Sequence, residues 1–168
     1  MELCRKYNEH VVDLKGLDFW ECMDLTLDEI NIVRRINRTE GTLQVTLNGT
    51  TSGKCIIATH AVNMAIEYRK VNIVIITRNV AAKYIIERRI KVFPYKKIGR
   101  EVYIEELNSK GIRFSNGSGI YVIVNNQDSS FNMIADYIYI DQIKLEEMNI
   151  NNMMQRAINI VSLYTPRG

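Results

Sequence analysis

The sequence predicts one α/β domain built on a mostly parallel central sheet with helices on both faces. Three observations carry that expectation. Short β-branched runs alternate with helical stretches at the spacing of βαβ units. The run Leu43-Gln44-Val45-Thr46-Leu47 leads into Asn48-Gly49-Thr50-Thr51-Ser52-Gly53-Lys54-Cys55 and then into an apolar helical pattern from Ile56, which is the layout of a phosphate-binding P-loop. A second apolar run, Tyr137-Ile138-Tyr139-Ile140, ends in Asp141, at the strand edge where open α/β sheets bind their ligands.

The elements follow in order. Residues 26–36 read as an amphipathic helix, and Thr26 with Glu29 three positions later fits a capping box. A turn at 38–41 leads to the strand at 42–47, and the P-loop helix is expected over about 53–69. Val71 to Thr77 is an apolar, β-branched run typical of a buried strand. Residues 79–92 look helical, with Ala81, Ala82, Ile85, Ile86 and Ile90 on one side, and Pro94 ends the pattern. Extended runs near 101–106 and 111–115 precede the hairpin signal Asn116-Gly117-Ser118-Gly119, which opens the strand at 120–124. After a polar loop at 125–130 and the strand at 137–140, a helix is expected around 151–157 and a last strand over 158–163.

The bulk numbers exclude several classes. With 168 residues the chain can bury a sizeable core, and 46% hydrophobic with 24% charged residues is ordinary globular composition. No apolar run approaches the roughly 20 residues of a membrane-spanning helix. The start, Met1-Glu2-Leu3-Cys4-Arg5-Lys6, lacks the apolar stretch of a secretion signal. Cys4, Cys22 and Cys55 have no metal-ligand spacing, so reduced thiols in a cytoplasmic setting are expected. A net charge of +3 does not by itself imply nucleic acid.

The chemistry candidates gather around the loop. Backbone N–H groups of Thr51, Ser52, Gly53 and Lys54, together with the start of the helix, would wrap a nucleotide's phosphates, and Lys54 would reach the β- and γ-phosphates. The loop departs from G-x-x-x-x-G-K-[ST]: Asn48 stands at the first glycine, with Gly49 beside it, and Cys55 stands where a hydroxyl normally meets Mg²⁺. A thiol is a poor ligand for that hard ion, so Cys55 reads better as a small buried residue. Asp141 is the candidate Mg²⁺ acid, against the alternative of a strand-ending cap. Gln142 can orient water but is a very poor proton acceptor. Thr165-Pro166-Arg167-Gly168 reads either as a nucleotide-sensing motif beyond a core strand or as a plain turn. Arg88, Arg89, Lys91, Lys96, Lys97 and Arg100 form a basic cluster that could face DNA or simply solvent. Phe19 and Trp20 are candidates for contact with adenine by position alone. His10 and His60 are isolated and read as structural or solvated.

Taken in order, the helix at 26–36, the P-loop, Val74-Ile75-Ile76-Thr77-Arg78, the segment Ile112 to Ile120 with its N-G-S-x-I hairpin, the strand ending in Asp141, and Thr165-Pro166-Arg167-Gly168 resemble the ATPase domain of the phage large terminase subunit. The resemblance covers about residues 26–168 and rests on order and spacing, since each motif alone is weak. It implies a RecA-like, additional-strand (ASCE-type) P-loop ATPase that drives double-stranded DNA into a capsid. ATP and Mg²⁺ are its implied cofactors. The portal, the small terminase subunit, a possible homo-oligomer and a separate nuclease chain are its implied partners, with no membrane. The implied location is the cytoplasm of an infected or lysogenic bacterium. By the same resemblance Lys54 holds phosphates, Asp141 holds Mg²⁺, and Thr165 belongs to the motif that couples hydrolysis to movement. The family's nuclease domain is not expected within these residues.

Four departures bear on activity. No arginine stands at Thr50 or Thr51, residues 126–136 contain none, Cys55 replaces the Mg²⁺ hydroxyl, and Gln142 replaces the catalytic Glu. Loss of an arginine finger alone costs roughly 10³–10⁵ in rate. Two readings follow: a motor ATPase that is weak or inactive as this fragment, or a non-catalytic P-loop-fold interaction or regulatory module of a phage or prophage assembly. Another helicase-like ATPase of the same broad class is a third.

Overall fold

The computed structural model describes residues 25–49, 53–92, 102–108, 111–125, 134–148 and 157–166. Three helices, α1 (Leu27–Arg38), α2 (Gly53–Glu67) and α3 (Val80–Lys91), pack on a seven-stranded sheet. The strands are β1 (Thr42–Thr46), β2 (Asn72–Thr77), β3 (Ile104–Asn108), β4 (Gly111–Phe114), β5 (Gly119–Val124), β6 (Ala135–Asp141) and β7 (Ala157–Tyr164). Their order is β1-β7-β6-β2-β5-β4-β3. The first five are parallel neighbours, and β4 and β3 extend the sheet as an antiparallel edge. Of the helix expected around 151–157, residues up to 156 lie outside the described set. Ala157 is strand, not helix, because it pairs with Ala135 at the start of the β6–β7 ladder.

Helix α1 begins as its sequence dictates. The Thr26 hydroxyl accepts from the Glu29 N–H at 3.2 Å while the Glu29 carboxylate accepts from the Thr26 N–H at 2.9 Å. Ile30, Val33 and Ile36 form its buried stripe. Helix α2 carries no such stripe, because every residue from Ile56 to Ile66 is buried. Its C-terminal end is closed by the N-G-S hairpin. Asn116 donates to the carbonyls of Ala65 (2.7 Å) and Tyr68 (3.1 Å), and the Ser118 hydroxyl donates to Tyr68 O at 2.8 Å. These satisfy carbonyls that a helix end otherwise leaves orphaned. Gly117 turns the hairpin at φ +88, a conformation that favours glycine, with Lys70 too close for a side chain.

Strand alternation divides the core. Ile73, Ile75, Tyr137, Tyr139, Val161 and Leu163 join the cluster that also contains residues of all three helices. Val74, Ile76, Ile138, Ile140 and Ile160 face the other way, where Ile143 and Leu145 pack on them. Among the described residues the three α-helices cover one face, and a 3-10 turn at Leu145–Glu147 lies on the other, where Leu145 is buried. Asp141 continues the odd-numbered series of β6 and therefore points to the helix side, toward α2.

A buried polar knot ties α1, α2 and β6 together. His60 Nε2 lies 2.6 Å from Asn37 Oδ1, and Nδ1 meets the Tyr139 hydroxyl. An amide oxygen only accepts, so Nε2 carries the proton and Nδ1 accepts from Tyr139. The imidazole also lies edge-on to Tyr137 and Tyr139, with centroids 5.4 and 5.7 Å away. The isolated His60 of the sequence is thus structural.

Burial lowers the His60 pKa from 6.5 to about 3. The unfolded chain then binds more protons than the folded one between those values. His60 therefore contributes stability that is fully present above pH 6.5 and is lost as pH falls toward 3. His60→Gln is expected to cost about 1–3 kcal/mol at pH 7, because Tyr139 and Asn37 lose a buried partner. The gap between wild type and variant, measured by urea unfolding, is expected to narrow steadily with acidification below pH 6.5.

Candidate functional site

The sheet order creates the site. Leu163 of β7 pairs with Val45 of β1 on one side and with Asp141 of β6 on the other. One inserted strand therefore separates the end of β1 from the acid, about 10 Å across two strand spacings. The loop after β1 must cross that gap to start α2. Leu47 N–H still bonds Tyr164 O at 2.7 Å, and α2 then begins at Gly53, directly against the acid. A Cβ on Gly53 would sit 3.1 Å from Leu47 Cδ1, 3.5 Å from Asp141 Oδ1 and 3.6 Å from Gln142 Nε2. A side chain at this position would press on Leu47 and stand in contact with the acid and the amide.

Lys54 reaches across and places Nζ 3.1 Å from Asp141 Oδ2. Asp141 has no exposed surface, whereas the Lys54 side chain keeps 26% of its own. The contact is chiefly Coulombic, since neither Asp141 oxygen receives a well-directed hydrogen bond. Burial pushes the Asp141 carboxyl above the usual carboxylate range, and the Lys54 charge pulls it partway back. A buried carboxylate with unfilled lone pairs suits a second cation. No cluster of three or more His, Cys, Asp or Glu residues occurs among the described residues. A Mg²⁺ here would draw the rest of its shell from phosphate oxygens and water, as that ion commonly does.

Gln142 departs from extended backbone, with φ +61. Continued alternation would have aimed it at the opposite face. The left-handed kink instead brings its amide beside Asp141, against Gly53. Such a conformation costs a non-glycine residue on the order of 1 kcal/mol and is held by its surroundings. The holder is Thr165: its N–H donates to Gln142 Oε1 at 2.9 Å, and Gln142 Nε2 donates to its hydroxyl at 3.0 Å. Gln142 N–H also bonds Leu163 O at 2.9 Å. The residue after the acid and the residue after β7 are thereby clasped.

These groups line one open cavity of about 350 Å³ together with Arg78, Asn79, Ala81, Ala82 and Ile85. Lys54, Asp141, Gln142 and Thr165, each singled out from the sequence, line the same cavity. Gly53 is buried beneath them, Cys55 is half-buried within the first turn of α2, and Asn48, Gly49 and Pro166 are exposed. Thr50, Thr51, Ser52, Arg167 and Gly168 lie outside the described residues, as do Phe19, Trp20, Lys96, Lys97 and Arg100. Of the basic cluster, Arg88 and Lys91 are exposed and Arg89 is half-buried. Arg78 and the first turn of α3 were named from sequence only as part of the run at 74–78 and of a helical face, with no place given to them in the site. Its signal is positional: these residues follow the C-terminal end of a parallel strand adjacent to the acid strand.

With this geometry, two solved folds align over most of the chain. The Thermus phage P74-26 large terminase ATPase domain matches with a TM-score of 0.59 and 15% identity, over 82% of this chain and 64% of that one. A single-substitution variant of that domain gives 0.59 and 14%, over 89% and 69%. The HK97 bacteriophage large terminase gives 0.61 and 10%, over 82% of this chain and 32% of that one.

The fold is that of phage large terminase ATPase domains. The chain spans about a third of the length of the whole HK97 terminase. No family model matches it, and no curated protein matches it by sequence.

The clasp makes a specific expectation. Thr165→Ala removes one hydrogen bond and is expected to cost about 0.5–1.5 kcal/mol. Gln142→Ala removes both and is expected to cost more. Gln142→Glu retains two acceptors for the Thr165 N–H and O–H and is expected to unfold within about 0.5 kcal/mol of wild type by chemical denaturation.

Proposed function

We propose that this chain is a terminase-type ATPase domain of a viral DNA-packaging motor that binds ATP with Mg²⁺ at the Lys54–Asp141 cleft and turns it over slowly or not at all by itself. The observation that carries the reading is the 3.1 Å pair between the lysine at the start of the P-loop helix and the buried acid at the end of β6. In this account the arriving phosphates take Lys54 from Asp141, whose carboxylate would hold a Mg²⁺ that neutralises phosphate charge. Asn48 to Cys55 form the phosphate loop, and Thr165 with Pro166, Arg167 and Gly168 forms the segment that senses the state of the site. Double-stranded DNA, a portal, a small terminase subunit, further copies of the chain and a nuclease chain are the partners this reading brings. The cytoplasm of a bacterial host is its location.

Slow turnover follows from Gln142. Attack of water on the terminal phosphate is helped by a positioned proton acceptor, and such groups contribute on the order of 10²–10⁴ in rate. Among the described residues lining the cavity Asp141 is the only carboxylate, and in this reading it is taken up by the Mg²⁺ rather than free to accept a proton. Gln142 is neutral, and both polar atoms of its amide are engaged with Thr165. That engagement also supports the second reading, a non-catalytic P-loop-fold interaction or regulatory module of a phage or prophage assembly.

Calorimetric titration with ATP and Mg²⁺ separates the two. Wild type is expected to bind, and Lys54→Ala is expected to lose at least tenfold in affinity, which corresponds to about 1.4 kcal/mol. Gln142→Glu combined with Cys55→Thr is then expected to raise phosphate release by on the order of 10². No heat with wild type would contradict the ATPase reading and leave the interaction module.

A further inference from the structure

We propose that Arg78 is a phosphate-binding residue of this site, placed to hold the terminal phosphate of a nucleoside triphosphate from the side opposite Lys54. The proposal deepens the ATP-site reading and rests on it. Strands β2 and β6 pair in parallel register with Ile76 beside Ile140. One step further Thr77 stands level with Asp141, and Arg78 stands level with Gln142. Because β7 and β1 lie on the other flank of β6, the P-loop lysine and Arg78 approach the acid from opposite sides.

The backbone that carries Arg78 is pinned on both sides. Thr77 is buried and its hydroxyl donates to Ile123 O at 2.8 Å. Asn79 caps α3, its side-chain oxygen accepting from the Ala82 N–H at 2.8 Å. Between these two fixed residues the Arg78 side chain is exposed, lines the cavity, and has no ion pair or hydrogen bond among the described residues. Among the described residues the other two charges of the cavity, Lys54 and Asp141, balance one another. Arg78 leaves the cavity with one positive charge in excess, which is the complement of an anion. The first turn of α3 adds no acid to offset it.

The chemistry favours a phosphate over a carboxylate-sized or neutral ligand. A guanidinium is always charged and presents a planar fork of N–H donors that meets two phosphate oxygens at once. The cavity is also deep enough, at about 350 Å³, to take more than a single small ion. Neither Thr50 nor Thr51 of the loop is an arginine, and residues 126–136 contain none. Arg78 is the one arginine that the described residues bring to the cavity.

The test compares ATP with ADP, each with Mg²⁺, by calorimetry on wild type, Arg78→Ala and Arg78→Lys. Arg78→Ala is expected to weaken ATP about tenfold or more while leaving ADP within about twofold, so that discrimination between them collapses. Arg78→Lys is expected to recover only part of the ATP affinity, because a point charge replaces a fork. The melting temperature without nucleotide is expected to stay unchanged, since the side chain has no ion pair or hydrogen bond among the described residues to lose. An unchanged ATP/ADP ratio in Arg78→Ala, with wild type binding both, overturns the role of Arg78 and leaves the ATP site standing. Failure of wild type to bind either nucleotide overturns the ATP-site reading and this proposal with it.

Discussion

Asp141 is a carboxylate with no exposed surface, and an uncompensated buried charge costs several kcal/mol. Much of the architecture near the cleft is arranged around that group. Alternation along β6 turns it toward the helix layer, and the insertion of β7 between β1 and β6 sets it one strand away from the P-loop strand. The chain between β1 and α2 spans that distance and arrives with a glycine, which lets backbone approach the carboxylate, followed at once by the lysine that compensates it. A buried pair of this kind is weak evidence of added stability. In the proposed function it is a site that gives up stability to keep charge in a confined place.

The same edge of the sheet holds two further constraints. Gln142 takes a left-handed conformation that returns its amide to the side of Asp141, and the Thr165 clasp holds it there. The ends of β6 and β7 are therefore tied to one another by three hydrogen bonds. Behind them, His60 links α1, α2 and β6 through Asn37 and Tyr139, and Asn116 and Ser118 close the far end of α2. The helix that begins at the site is thereby held at its middle and at its far end.

Much of this could be read from the residues. The capping box of α1, the strand–loop–helix at 42–67, the buried run of β2, the hairpin at 116–119 and the acid ending β6 all follow from local rules of pattern and punctuation. What could not be read was set by long-range pairing. Ala157 sits in a helix-like sequence but is claimed by the β6–β7 ladder. Gln142 and Thr165 are 23 residues apart, and nothing local in either announces the clasp. Arg78 looks like an ordinary charge after a strand until the register of β2 against β6 places it beside the acid. The hairpin at 116–119 was legible as a turn, yet its role as the cap of α2 depends on a contact about 50 positions away.

In the proposed function Lys54 and Asp141 neutralise one another only until a nucleotide arrives. A crystal structure with Mg²⁺ and a non-hydrolysable ATP analogue would decide this. The analogue's phosphates are expected in the cleft, with Lys54 Nζ moved from Asp141 onto phosphate oxygen and the Asp141 carboxylate facing the metal. An analogue bound elsewhere, or absent from the cleft with the Lys54–Asp141 pair intact, would contradict it.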